Sequence, residues 1–166
     1  MYSIGILTVS DKGSRGERED KTGPAVQEVL EKEGYVVKQY CVVPDEIQII
    51  KEKLIYMSDE LKLNVILTNG GTGFSIRDVT PEATKEVIQR EVPGFGEAMR
   101  MKSLEITPHA MLSRAIAGIR NKSLIINLPG SPKGAVENLQ TILPALEHGI
   151  EILIGKANEC AKRGSA

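Results

Sequence analysis

Along the chain, short apolar runs alternate with stretches whose apolar residues recur at helical spacing. Ile4 to Val9 is the first run and reads as a strand. Thr22 to Glu33 follows with helical spacing, Pro24 in its opening turn and Gly34 as its stop. A second strand, Tyr35 to Val43, is broken by Pro44. From about Asp45 to Leu61 the residues Ile47, Ile50, Leu54 and Met57 fall at core-facing positions of a helix, and Asn64 to Thr68 makes a third strand. After a glycine-rich loop, Pro81 to Arg90 is helical, Pro93-Gly94 interrupts, and Glu97 to Ile106 resumes. Residues 112 to 128 form a hairpin with Arg120-Asn121-Lys122 as its turn and Leu124 to Leu128 as a very apolar last strand. A helix from Lys133 to about Ile154 closes the pattern, and Pro144 is expected to kink or divide it. This alternation predicts a layered α/β domain.

The pattern also says where the polar loops fall. Ser10-Asp11 follows the first strand, Pro44-Asp45 the second, the glycine loop with Asp78 the third, and Pro129-Gly130-Ser131 the last. If those four strands are parallel, all four loops meet at the carboxyl edge of the sheet, where open α/β folds hold their ligands. Distant stretches of chain then become one candidate site.

The richest of these loops is Thr68 to Pro81, which places three glycines, a hydroxyl, an arginine and a carboxylate between a buried strand and a helix start. Glycines let backbone N–H groups approach an anion, and the helix N-terminus adds partial positive charge. The spacing is neither G-x-x-x-x-G-K-[ST] nor G-x-G-x-x-G, so the loop is neither a Walker A nor a Rossmann fingerprint, and it reads as a phosphate or nucleotide cradle or else as a tight β-to-α turn. Asp45 and Asp78 converging beside such a cradle would suit a Mg²⁺–triphosphate complex, because Mg²⁺ takes one or two carboxylates plus substrate phosphates. The plainer reading of Asp45 is a helix N-cap, whereas Thr80 already supplies a cap near Asp78. Arg77 either grips phosphate or is a solvated cation, and Thr72 either meets the anion or satisfies its own turn. Asp11 to Lys21 carries four charges of each sign, as a solvated loop or a substrate lid would. Ser131 reads as an N-cap that could also hold an anion, with Lys133 adding a point charge. His109 and His148 have no partner at nucleophile or metal spacing, and no G-x-S-x-G elbow exists.

Composition narrows the classes. Twenty-one Lys and Arg against 22 Asp and Glu leave a net charge of −1, and six aromatic residues are few. A nucleic-acid reader normally shows a basic surplus and stacking residues, so no nucleic-acid partner is expected. Cys41 and Cys160 are too few and too far apart for a disulfide framework or a metal spacing, which suits a reducing cytoplasm. A strand begins almost at Met1, and no window approaches 18 uninterrupted apolar residues, so neither a leader nor a membrane span is expected. The length fits one domain, expected over residues 1–160, with a loose tail at 161–166.

Seven segments carry a resemblance: Gly5-Ile6-Leu7-Thr8-Val9-Ser10-Asp11, Asp20-Lys21 before Gly23-Pro24, Pro44-Asp45-Glu46, Thr68-Asn69-Gly70-Gly71-Thr72-Gly73, Arg77 to Thr84, Pro93 to Arg100, and Asn127 to Pro132. In that order they resemble the MogA/MoaB family of molybdenum-cofactor biosynthesis. The resemblance implies a three-layer α/β/α fold with a mostly parallel sheet, assembled as a trimer or hexamer. It implies molybdopterin adenylyltransferase activity, in which the terminal phosphate of molybdopterin attacks the α-phosphate of Mg-ATP and pyrophosphate leaves. Asp45 and Asp78 match the family's acidic pair, with metal and phosphate alignment as their implied work. Gly70, Gly71, Thr72 and Gly73, with Gly94, Gly96 and Glu97, match the nucleotide-binding segments. Ser10, Asp11, Asp20, Ser131 and Lys133 lie in loops assigned to the pterin. The chain is expected to stand alone, without the molybdate-inserting domain fused to it in homologues such as gephyrin, and the resemblance then implies that its product passes to a separate partner. The rival readings are a non-catalytic molybdopterin-binding or scaffold protein of the MoaB branch and, more distantly, a nucleotide hydrolase. For an oligomer, the sequence offers Leu146, Ile150 and Ile154 on the last helix.

Overall fold

A computed structural model describes residues 1–156; the expected tail at 161–166 and Cys160 lie outside them. In chain order the elements are β1 (Ser3–Val9), α1 (Asp11–Ser14), α2 (Thr22–Lys32), β2 (Val36–Val43), α3 (Ile47–Ile55, prolonged by a π-helical turn Tyr56–Glu60) and β3 (Val65–Asn69). Then come α4 (Thr80–Val87), β4 (Arg90–Glu91), α5 (Pro93–Leu104), a 3₁₀ turn (Pro108–Leu112), β5 (Ala117–Arg120), β6 (Ser123–Leu128) and α6 (Pro132–Ile154).

The strands form one sheet in the order β2-β1-β3-β6-β5-β4. β2, β1, β3 and β6 are parallel, and β5 and β4 continue the sheet antiparallel at one edge. Every residue of β3 and β6 is buried, which is why these runs are apolar on both faces apart from Thr68, Asn69, Ser123 and Asn127: helices cover both sides. On one face Ile4, Ile6 and Leu67 pack with Val26 and Leu30 of α2, Met99 of α5 and Leu139, Leu146 and Ile150 of α6. On the other, Leu7, Ile66 and Ile125 pack with Ile50 and Leu54 of α3 and Ala83 and Val87 of α4. Each such fully buried Leu or Ile contributes about 1.5–3 kcal/mol. The result is the three-layer α/β/α arrangement.

Several expectations need correction. Pro144 does not divide α6, which runs unbroken from Pro132 to Ile154. Its two halves are both held to the sheet, by Leu139 and Ile142 before the proline and Leu146 and Ile150 after it. Leu146 and Ile150 are consequently 0% exposed and cannot serve an interface between copies, and Ile154 packs at the edge of the same core. The helix predicted for Pro81 to Arg90 stops at Val87, because Ile88 turns extended and Arg90–Glu91 joins the sheet beside β5. Large exposed apolar residues are found on the glycine loop (Phe74, Ile76) and around the end of α5 (Met101, Leu104, Ile106, Met111, Leu112), while α6 itself exposes Ile152.

Candidate functional site

From β1 the chain leaves to one side to form β2 and returns to the other side to form β3, so a crevice opens at the carboxyl ends of β1 and β3. A cleft of about 630 Å³ lies there, lined by Ser10, Arg18, Asp20, Lys21, Asp45, Asn69, Gly70, Gly71, Asp78 and Ser131 among others. The loops after β1, β2, β3 and β6 do meet, as their positions in sequence predict for parallel strands.

The glycine loop is held in shape by the residues around it. Gly70 and Gly71 have φ of 98° and 68°, in the region that side chains with a Cβ avoid. A Cβ on Gly70 would sit 2.6 Å from the carbonyl oxygen of Val9, so β1 can approach this closely only because the residue is glycine. Thr80 Oγ1 donates to the Gly70 carbonyl at 2.9 Å, and its backbone N–H donates to the Gly71 carbonyl at 3.1 Å. From the far side, Arg114 Nε donates to the Gly73 carbonyl at 2.8 Å and its Nη2 to the Asp78 carbonyl at 2.7 Å, while Nη1 pairs with Glu82. Arg114 therefore acts as a brace, and nothing in its local sequence announces it. Asn127 was likewise invisible in sequence; its buried amide donates to Thr68 Oγ1 and Thr84 Oγ1, both at 2.9 Å, tying β6, β3 and α4 together.

Asp45 does not cap α3, whose N-cap is Glu46. Its Oδ2 accepts the N–H of Asp11 at 2.8 Å, and its own N–H donates to Asp11 Oδ1 at 3.0 Å. Burial pushes the Asp45 carboxyl above the usual carboxylate range, and the charges of Asp11 and Asp78 push the same way against the Asp11 N–H. Asp78 Oδ2 accepts the N–H of Ser75 at 3.0 Å. The two carboxylates flank one loop: a Cβ at Gly71 would lie 3.3 Å from Asp45 Oδ1, and one at Gly73 would lie 2.9 Å from Asp78 Oδ2. Arg77 is a half-exposed cation, so the solvated reading holds in part, but its guanidinium is already paired. It donates twice to Asp11, at 3.0 Å each, and once to Glu46 at 2.9 Å. Those bonds, with the Asp45 N–H, hold the Asp11 carboxyl below its usual range.

The other predicted residues divide. Ser10 caps α1 by accepting the Gly13 N–H at 3.0 Å, and Ser131 caps α6 by accepting the Gly134 N–H at 3.1 Å, with both serines on the cleft wall. The charged stretch after α1 is anchored by Asp20, whose Oδ1 accepts the N–H groups of Thr22 and Gly23 at the start of α2 and whose Oδ2 accepts the Tyr40 hydroxyl. Burial alone would raise the Asp20 pKa; the hydrogen bonds from Thr8, Tyr40, Gly23 and Thr22 outweigh it and hold the group ionised. Thr72 and Gly73 line a second, more apolar cavity of about 330 Å³ with Arg100, Ile106, His109 and Leu112, and the two cavities share Ser131. Lys133 lines neither; its side chain is 81% exposed, 3.9 Å from Glu137.

Gly94, Gly96 and Glu97 do not join this crevice within the chain. They follow β4, at the antiparallel edge of the sheet and two strands beyond β6, which displaces them sideways by roughly 10 Å at the ordinary strand spacing. Gly96 is there a close-approach residue, since a Cβ would lie 3.0 Å from the Ala115 carbonyl that Arg100 Nη1 bonds at 2.7 Å. Glu97 is exposed.

Fold and site together define a three-layer α/β/α protein with a cleft at its topological switch point, where Asp78 of the glycine loop and Asp45 of the loop after β2 both line the wall. The chain belongs to the family described as "Probable molybdopterin binding domain", which matches residues 5–148. It is 49% identical over 156 residues to the molybdopterin adenylyltransferase of Helicobacter pylori strain J99, covering 92% of this chain and 88% of that protein. To the molybdopterin adenylyltransferase of Escherichia coli K12 it is 43% identical over 153 residues, covering 89% of this chain and 78% of that one. The crystal structure of the molybdopterin biosynthesis enzyme MoaB from Thermus thermophilus superposes with a TM-score of 0.90 at 54% identity, covering 94% of this chain and 98% of that chain.

Proposed function

We propose that this chain is a molybdopterin adenylyltransferase of molybdenum-cofactor biosynthesis, transferring AMP from ATP to the terminal phosphate of molybdopterin with release of pyrophosphate. The observation that carries this reading is the convergence of Asp45 and Asp78 on one glycine loop at the mouth of two adjoining cavities. A reaction that joins two anionic substrates needs two subsites meeting at one phosphorus. The smaller, more apolar cavity suits the purine and ribose of ATP. The larger polar cleft suits the pterin, and the backbone between Gly70 and Gly73 lies where the two meet.

The incoming phosphate is already anionic at neutral pH, so no general base is required; the new P–O bond forms at the α-phosphorus as the bond to the β-phosphate oxygen breaks. The protein's part is positioning and charge neutralisation. Backbone N–H groups of the glycine loop and the positive N-terminal end of α6 favour the phosphates. A Mg²⁺ ion fits the donor set, because Asp45 and Asp78, both on the wall of the same cleft, would supply two hard oxygen ligands from different loops and substrate phosphates the rest. Bound there, Mg²⁺ would neutralise the charge that builds on the triphosphate.

The rival reading, a non-catalytic pterin-binding or scaffold protein of the MoaB branch, leaves the retained acidic pair and complete glycine loop without work. The reading also assigns the protein to the cytoplasm, as a homo-oligomer, a trimer before a hexamer, that hands its product to a separate molybdate-inserting protein. Exposed Met101, Leu104, Ile106, Met111 and Leu112 support self-association. In the described residues no helix is long and apolar enough to cross a membrane.

The test is purified protein with Mg-ATP, with and without molybdopterin, followed by pyrophosphate release and mass spectrometry of the pterin. The expected result is pyrophosphate and adenylylated pterin only when both substrates are present. Release of phosphate or AMP without pterin would instead mark a nucleotide hydrolase, and binding without turnover would mark the scaffold.

A further inference from the structure

Asn69 is the last residue of β3 and stands opposite Thr8 of β1, at the switch point under the cleft. Its side chain is 1% exposed, and it lines the cleft. Nδ2 donates to Thr8 Oγ1 at 3.3 Å, while Oδ1 has no hydrogen-bond partner among the described residues. It is also the one buried side-chain oxygen or nitrogen of the described residues in that condition. Leaving a buried acceptor unsatisfied is costly, so such a group in a cleft points to a bound molecule that completes it.

The chemistry around Asn69 says what that molecule presents. Asp20 lines the same cleft with its charge retained, but its two oxygens are taken up by Thr22, Gly23 and Tyr40, so the fold uses it and leaves it no role as a free acceptor. Asn69 Oδ1 is free. A carbonyl oxygen beside a fixed carboxylate repels phosphate and attracts N–H. The phosphates of either substrate therefore belong at the glycine loop, and a ring with donor N–H groups belongs over Asn69. Of the two substrates in the proposed reaction, the pterin carries an amino group next to a ring N–H and further ring N–H donors, whereas the smaller cavity beyond Ser131 suits the purine.

Building on the proposed reaction, we infer that Asn69 Oδ1 accepts a hydrogen bond from a ring or amino N–H of the pterin, fixing the heterocycle at the floor of the larger cleft so that its phosphate reaches the glycine loop. Asn69 is on this view a specificity-determining residue for the pterin and makes no contact with ATP.

The experiment measures dissociation constants of wild-type protein, Asn69→Ala and Asn69→Asp for molybdopterin under anaerobic conditions and, separately, for Mg-ATP, with thermal melts as a check on folding. Asn69→Ala is expected to weaken molybdopterin binding at least about tenfold while Mg-ATP binding stays within about twofold. Asn69→Asp, which keeps an acceptor oxygen at this position, should retain pterin affinity within about threefold. Equal losses for both substrates would reduce Asn69 to a structural residue, a loss confined to Mg-ATP would move the nucleotide into the larger cleft, and an unchanged molybdopterin constant in Asn69→Ala would remove the contact; each overturns the inference. Wild-type turnover separates this from the reaction itself: pyrophosphate release with an unchanged Asn69→Ala pterin constant leaves the adenylyltransferase standing without this contact. Conversely, Asn69-dependent pterin binding without turnover keeps the contact and removes the reaction.

Discussion

Asp11 and Asp45 cap each other: the N–H of each donates to the carboxylate of the other, at 2.8 and 3.0 Å, so the loop after β1 and the loop after β2 are locked as one wall of the cleft. The two acids emerge from this exchange with opposite character. Arg77 and the Asp45 N–H hold Asp11 strongly ionised, whereas burial makes Asp45 reluctant to ionise. Asp11 is therefore the fixed anion of the pair, and Asp45 is the one whose charge the fold does not neutralise.

Removing the Asp11 side chain should expose this dependence. Asp11→Ala frees the Asp45 N–H and releases Arg77, and misplacement of a positioned group costs rate steeply. Steady-state pyrophosphate release should fall roughly ten- to a hundredfold. Unchanged kinetics would mean that the reciprocal cap has no part in positioning Asp45.

Asp78→Asn is expected to lower turnover at least about a hundredfold, the scale of losing one preorganised electrostatic group. The fold should hold, because the amide oxygen of asparagine can still accept the Ser75 N–H. A thermal midpoint near wild type together with lost turnover supports the assignment; near wild-type turnover refutes it.

The pH profile should carry the signature of Asp45. Its folded pKa lies above the reference value of 3.8, so the folded chain holds this proton more readily than the unfolded chain. The cost of ionising it in place is absent below the unfolded pKa and fully present above the folded one. If Asp45 acts as a carboxylate in the proposed reaction, the acid limb of kcat should be centred above 3.8 and should change in Asp45→Asn. Asp20 runs the other way: its lowered pKa contributes stability that is present above 3.8 and is lost as pH falls through its folded value. Acid unfolding followed by circular dichroism should accordingly be gentler in Asp20→Asn.

Gly70→Ala should destabilise the protein by about 1–3 kcal/mol, the usual cost of forcing a side chain into such a backbone conformation. The added Cβ meets a carbonyl oxygen of β1 that cannot turn away. Urea unfolding reports the change, and a loss under about half a kcal/mol would show that the loop relaxes without strain.

Arg114→Lys tests the brace. One ammonium cannot reproduce the planar fork that reaches the Gly73 and Asp78 carbonyls together. Amide hydrogen exchange across residues 72–78 should quicken and the KM for ATP should rise several-fold, with kcat less affected. If exchange in that loop is unaltered, Arg114 is dispensable for its shape.

How much of this was legible depends on the range of the interaction. The strands and helices follow from local periodicity, and the gathering of four loops follows from their being after parallel strands. Stops set by Gly34 and Pro44 are local too. The two-residue strand β4 was invisible because it exists only by pairing with β5, and its formation shortens α4 and carries Gly94 to Glu97 away from the cleft. Leu146 and Ile150 show the same limit: an apolar stripe in sequence does not say whether it faces the sheet or a second copy.

The sequence alone determined the α/β architecture, the carboxyl-edge cleft and the presence of Asp45 and Asp78 in the loops at that edge, because burial periodicity and glycine spacing act over a few residues. Only the tertiary structure decided which charges are spent on the fold and which remain for a ligand. Arg77 and Asp20 are taken up by partners brought in from other elements, whereas Asn69, next to the conspicuous glycines, keeps an unpartnered oxygen. Hydrogen bonding saturates donors and acceptors across the whole molecule, and no short stretch of chain carries that account.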